Sequence, residues 1–135
     1  METTALRINN RLYITSGITE LCEVRYIENS FLGYETQHRI GDAHISCFEG
    51  IPLTEQLLID LKFVEIEFIL TKRYESSCGK MLIYIMPDGG IFANGVISDI
   101  RLDSLHLLQN LYFAMSGEEL INKTIKYEIS INKSI

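Results

Sequence analysis

Over the first fifty positions the chain alternates between short apolar stretches and turn residues. Arg11 to Thr15, Thr19 to Glu28, Ser30 to Gln37 and Ala43 to Phe48 each read as an extended segment, separated by Ser16-Gly17, Glu28-Asn29 and Gly41-Asp42. Strands this close, joined by turns this short, predict an antiparallel meander with the option of closing as a small SH3-like barrel. The pattern changes at Gly50-Ile51-Pro52. Pro52 has no amide to donate, Thr54 can accept from the first turn of a helix, and Glu55 suits the positive end of its dipole. Leu57, Leu58 and Leu61 follow at helical spacing, which predicts a short amphipathic helix ending near Lys62.

From Val64 the period becomes two, with Val64, Ile66, Phe68 and Leu70 on one face and Glu65 and Glu67 on the other. Met81 to Met86 is an almost unbroken apolar run, Pro87-Asp88-Gly89-Gly90 is a turn sequence, and Ile91 to Ile97 resume extended structure. These predict a three-stranded meander. Leu105, Leu108, Leu111, Tyr112 and Met115 then share a helical face, with Ser104 or Asp103 as N-cap and Gly117 placed to end the helix. Within it, Gln109 to Phe113 looks like an engineered protease site, but Ala114 stands where such a site has Gln, so the stretch is native helix. Ser116 and Glu119 are spaced to cap a further turn through Leu120. Ile125, Tyr127, Ile129 and Ile131 alternate with polar residues as a half-buried C-terminal strand.

No linker, repeat or long charge block interrupts the chain, so residues 1–135 are expected to form a single domain. Its parts are an N-terminal β meander, 1–50, and a helix, three-strand meander, helix and C-terminal strand, 51–135. The fold class is α+β: antiparallel β meanders with two short helices. At 135 residues and 47% hydrophobic, the chain is long and apolar enough to bury a core. No apolar run reaches the roughly 20 residues a membrane-spanning helix needs, and no signal-like segment follows Met1 to Ala5, so a cytoplasmic protein is expected. Twelve basic against eighteen acidic residues give a net charge of −6, which disfavours duplex nucleic acid and leaves room for a small local basic pocket. Cys22, Cys47 and Cys78 lack paired spacing and sit in or beside strand patterns, as buried thiols of a reduced compartment do.

Candidate chemistry is sparse. His38, His44 and Cys47, with Asp42, are the best metal candidate, but on a single strand Asp42 and His44 would share a face and Cys47 the other. Ser46-Cys47 beside His44 is the local candidate for a nucleophile, and no elbow motif accompanies it. Glu118-Glu119 suits a helix N-terminus rather than an opposed acid/base pair. Asp88-Gly89-Gly90 lacks the Gly-Lys-Ser/Thr of a phosphate loop. No cofactor and no metal site are therefore expected. Arg25-Tyr26 and Lys72-Arg73-Tyr74 are different, because a cation beside an aromatic ring is the minimum equipment for a nucleobase and its phosphate. Lys72-Arg73-Tyr74 is read as an exposed hairpin loop.

Ile51-Pro52-Leu53-Thr54-Glu55 with Leu57-Leu58 and Phe63, the run from His106 to Ala114, and Gly117-Glu118-Glu119-Leu120 resemble a group of small phage and prophage proteins of Bacteroidetes-type bacteria. Members typically begin Leu-Arg-Ile-Gly-Asn; Leu6-Arg7-Ile8 fits, with Asn9 in place of the Gly. The resemblance implies a phage or mobile-element setting in a bacterial cell and no activity or catalytic residue. The expected function is a non-catalytic binding protein, sequestering a nucleotide signal of host defence or occupying a host protein, with a homo-oligomer as a way to enclose the ligand. The alternatives are a small metal- or Cys/His-dependent hydrolase or nuclease, and a phage structural component.

Overall fold

A computed structural model describes residues 6–66, 71–76, 79–94 and 99–121. The α+β class holds: two five-stranded antiparallel sheets and two α-helices. The first sheet contains β1 (Arg11–Ile14), β2 (Glu20–Glu28), β3 (Phe31–Glu35), β4 (Ile40–His44) and β5 (Phe48–Gly50), in the order β4-β3-β2-β1-β5. It is open, because β4 and β5 lie at opposite edges and do not pair, so the barrel expectation is corrected. Among the described residues, Leu12, Ile14, Cys22, Val24, Leu32, Tyr34 and Phe48 form a second core with Leu6. A β-bulge between Val24 and Tyr26 increases the local twist.

Ala43 to Phe48 is not one strand. The chain leaves β4 at His44, makes a single 3₁₀ turn over Ile45–Cys47 and re-enters the sheet as β5. The imidazole causes the break: His44 Nδ1 accepts from the Ser46 amide at 3.1 Å, giving the backbone a turn in place of a ladder bond.

Helix α1 (Glu55–Asp60) is capped as its sequence indicates, with Thr54 Oγ1 accepting from the Leu57 amide at 3.2 Å. The second sheet follows, with β6 (Val64–Ile66), β7 (Lys72–Glu75), β8 (Leu82–Ile85), β9 (Ile91–Ala93) and β10 (Ile100–Arg101) paired in sequence order. The β8–β9 turn has Gly89 at φ +92°, where only glycine is unstrained. Helix α2 (Leu105–Ser116) follows Ser104 and stops at Gly117, which takes φ +76° and donates its N–H to the Phe113 carbonyl. Its buried face is Leu105, Leu108, Gln109 and Tyr112; Leu111 is half-buried and Met115 is 40% exposed, so the expected stripe is rotated toward Gln109. Ser116 accepts from the Glu118 amide, but a bend follows rather than a further helical turn.

The main core joins everything. Leu57 and Leu58 of α1, Leu105, Leu108 and Tyr112 of α2, and Tyr74, Ile83 and Ala93 from one face of the second sheet pack with Tyr13 and Leu21 from the first. Among the described residues, the far side of the second sheet and the β3–β4 end of the first lie outside this core. Val64 and Ile66 lie exposed on the former rather than in the core. The expected strand positions Glu67, Phe68, Leu70 and Ile97, the C-terminal strand and Cys78 lie outside the described residues. No helix among the described residues is long and apolar enough to cross a membrane.

Candidate functional site

Strand period decides what Lys72-Arg73-Tyr74 can do. The tripeptide lies on β7, not in a hairpin loop, so its neighbours point to opposite faces. Tyr74 is buried in the core and donates its hydroxyl to Glu55 at the start of α1, while Lys72, two residues away on the same side, places Nζ 3.0 Å from Glu55 Oε2. Tyr74 and then Lys72 hold the Glu55 carboxyl below its ordinary range, and burial followed by the Glu55 bond pushes the Tyr74 phenol up. Both groups fasten α1 to the sheet.

Arg73 faces outward, and the register gives it company from three other strands. Arg73 stands opposite Tyr84, Tyr84 opposite Phe92, and Phe92 opposite Arg101, so one transverse row reads Arg-Tyr-Phe-Arg across β7, β8, β9 and β10. The Arg73 guanidinium lies 4.9 Å from the Tyr84 ring centroid and donates to Tyr84 Oη at 3.1 Å. The Arg101 guanidinium lies 5.4 Å from the Phe92 centroid, with Nε donating to Asp103 Oδ1 at 2.8 Å. Gly90 leaves room for that stack: a Cβ there would sit 3.1 Å from Phe92 Cε1 and 3.4 Å from Arg101 Nη1. Two partly exposed rings flanked by two planar cations form a surface that can stack a flat ligand and donate to its anionic groups.

Arg25 and Tyr26 are on the other sheet, so the five sequence candidates do not form one site. Arg25 bonds Glu23 at 2.8 Å and lies 3.4 Å from Glu35. Tyr26 lies across Gly33 and donates to Asp42 Oδ2 at 2.9 Å, a bond that raises its phenol pKa. Sequence reading missed Tyr84, Phe92 and Arg101, because only strand pairing brings them beside Arg73.

The catalytic candidates are spread out. His44 and Asp42 are on the outer face of β4, with the imidazole also 2.9 Å from Ser46 Oγ, whereas Cys47 packs against the core of the first sheet. Among the described residues no group of three His, Cys, Asp or Glu side chains could hold a metal ion. A second Ser–His pair was not foreseen: His106 Nδ1 lies 3.1 Å from Ser104 Oγ. Burial lowers the His106 pKa, and the imidazole is held away from solvent beneath Gly50, where it is not an accessible base.

The motifs at the two ends of the described chain meet in a polar clamp. Arg7 reaches Glu119 through both terminal nitrogens, at 2.6 and 2.9 Å, donates to Asn110 Oδ1 at 3.2 Å and lies 4.4 Å from the Phe113 centroid. Asn10 Nδ2 donates to the same Asn110 oxygen at 2.8 Å. Buried Gln109 accepts from the Arg11 amide at 2.8 Å and donates to the Asn9 carbonyl at 3.1 Å. Asn9 takes φ +79°, a conformation glycine and asparagine tolerate best. Glu119 is thus an ion-pair partner of Arg7, which holds its carboxyl below the usual range. Comparison with known protein families, curated proteins and solved structures finds no match to this chain.

Proposed function

We propose that this chain is a non-catalytic binding protein that takes a small, planar, anionic ligand of nucleotide type on the outer face of its second sheet. The Arg73-Tyr84-Phe92-Arg101 row carries the reading. Aromatic stacking is worth about 1–3 kcal/mol per base, and flanking arginines add charge-assisted bonds to phosphate. With a net charge of −6 the molecule offers polyanions no long-range attraction, so the site works at short range and favours a small ligand over duplex. Support also comes from the other polar groups: His44, Glu55 and Glu119 are engaged in bonds that fasten secondary structure. In the phage-type setting implied by the motif resemblance, such a protein would act in the bacterial cytoplasm by sequestering a nucleotide signal of host defence.

The test is calorimetric titration of mononucleotides, cyclic di- and oligonucleotides and short single strands against wild type, Arg73→Ala and Tyr84→Leu. Binding weakened about tenfold or more in both variants is the expected result. No heat with any ligand, or binding indifferent to both substitutions, refutes the reading and leaves a host protein as the occupant of this face.

A further inference from the structure

We infer that the outer face of the first sheet is a second, independent site, built to receive an arginine side chain of a partner protein. Three places in the chain show the arrangement. Arg7 lies over Phe113 and bonds Glu119, Arg101 lies over Phe92 and bonds Asp103, and Arg39 lies 5.5 Å from the Tyr34 centroid and 3.1 Å from Glu20. Each is an aromatic ring and a carboxylate completed by a guanidinium. Tyr26 and Asp42 are the same two elements on one surface, and no cation among the described residues completes them.

Their placement is built rather than incidental. The bulge after Val24 sets Tyr26 opposite Gly33, and the ring lies across the strand so closely that a Cβ on Gly33 would come within 2.0 Å of Cε2. Only glycine lets the phenol reach over β3 to Asp42 on β4. Tyr26 remains 43% exposed, so its packing against Gly33 leaves ring surface open to solvent. Tyr26 occupies Asp42 Oδ2, and among the described residues Oδ1 accepts no hydrogen bond. The neighbouring cations are committed elsewhere: Arg25 to Glu23 and Glu35, Arg39 to Glu20.

A planar guanidinium stacking on Tyr26 while donating to Asp42 satisfies both at once; an ammonium can do only one of these well. The flanks suit a protein rather than a free amino acid. Phe31, edge-on to His44 at 5.5 Å, lies to one side, and Ile40, 78% exposed, to the other. Tyr and Arg are among the residues enriched at binding hot spots, and a net charge of −6 steers basic partners inward. A nucleic acid does not fit, because Asp42 would meet its phosphates.

The inference stands apart from the nucleotide reading, since the two sites lie on different sheets. The test is a nuclear magnetic resonance titration with a blocked Leu-Arg-Leu tripeptide, alongside the same peptide carrying citrulline, the neutral isostere, and one carrying Lys. Saturable shifts confined to Tyr26, Phe31, Ile40 and Asp42 are expected, with affinity about tenfold or more lower for citrulline. Asp42→Asn and Tyr26→Leu abolish them. Gly33→Ala, which keeps both groups but displaces the ring, weakens binding about tenfold or more, and backbone spectra of each variant report that the sheet is folded. No saturable shift, equal binding of the citrulline peptide, shifts that map to the second sheet, or binding that survives Asp42→Asn in a folded variant overturns the inference.

Discussion

Gln109 connects helix and sheet through hydrogen bonds to two backbone groups. It is fully buried; its Oε1 accepts from the Arg11 amide and its Nε2 donates to the Asn9 carbonyl. Gln109→Ala strands both groups. An unsatisfied buried donor or acceptor costs about 1–3 kcal/mol, and the emptied side-chain volume adds to that, offset where a water enters. A loss of about 3–5 kcal/mol follows, a large part of the roughly 5–15 kcal/mol a domain possesses. Urea unfolding followed by circular dichroism measures it at constant m-value, and hydrogen exchange at the Arg11 amide reports the bond itself. Gln109→Glu is the companion variant. It keeps the acceptor for Arg11 but turns an oxygen toward the Asn9 carbonyl, so its carboxyl is expected to titrate above the ordinary value. Its stability is therefore full below the unfolded-state pKa and falls as pH rises through the folded one. A cost below about 1 kcal/mol for Gln109→Ala, with the Arg11 amide still protected, would refute the bonding argument.

Leu108→Ala should cost about 2–5 kcal/mol in the same assay and Leu111→Ala about 1, because the first is fully buried and the second only packs against the core; equal losses would show the helix is rotated from its described position. Cys22, buried with its thiol pushed up to about 12, should resist maleimide at pH 8 in the folded protein and label on unfolding, read by mass spectrometry. Glu119 titrates below the ordinary carboxylate value, chiefly through its hydrogen bond to Arg7, so the clamp contributes fully above the unfolded-state pKa and fades as pH falls through the folded one. Glu119→Gln should flatten that acid limb of stability against pH, and an unchanged limb would mean the pair contributes nothing.

Local chemistry was legible in the sequence and long-range pairing was not. Thr54, Gly117 and the Pro87 to Gly90 turn act within a few residues of themselves, and each does in the structure what its type and spacing indicate. His44 was misread because an imidazole that accepts from the amide two residues on leaves no mark in the apolar period of Ala43 to Phe48. The stripe of α2 was shifted because Gln109, polar by type, is buried by the bonds it makes to the far end of the chain. The grouping of Lys72, Arg73 and Tyr74 neglected strand geometry: adjacent residues in a strand face opposite ways, so the tripeptide could not form one surface. Arg73 finds its neighbours on three other strands, and only register could name them.

The clamp explains why two outer faces of opposite chemistry can belong to one small body. Helix α2 serves both sheets at once: Leu105, Leu108 and Tyr112 pack into the core that the second sheet covers, while Gln109 and Asn110 bond the residues leading into β1 and its first amide. Removing polar pairs to gain hydrophobic contact at the second interface would leave the orientation of helix and first sheet to non-directional packing. Hydrogen bonds fix angles, and a buried pair of amides with a bidentate Arg–Glu fork fixes several. The two outer surfaces, arginines and rings on one sheet and a carboxylate and rings on the other, hold a fixed relation only if the element between them cannot turn.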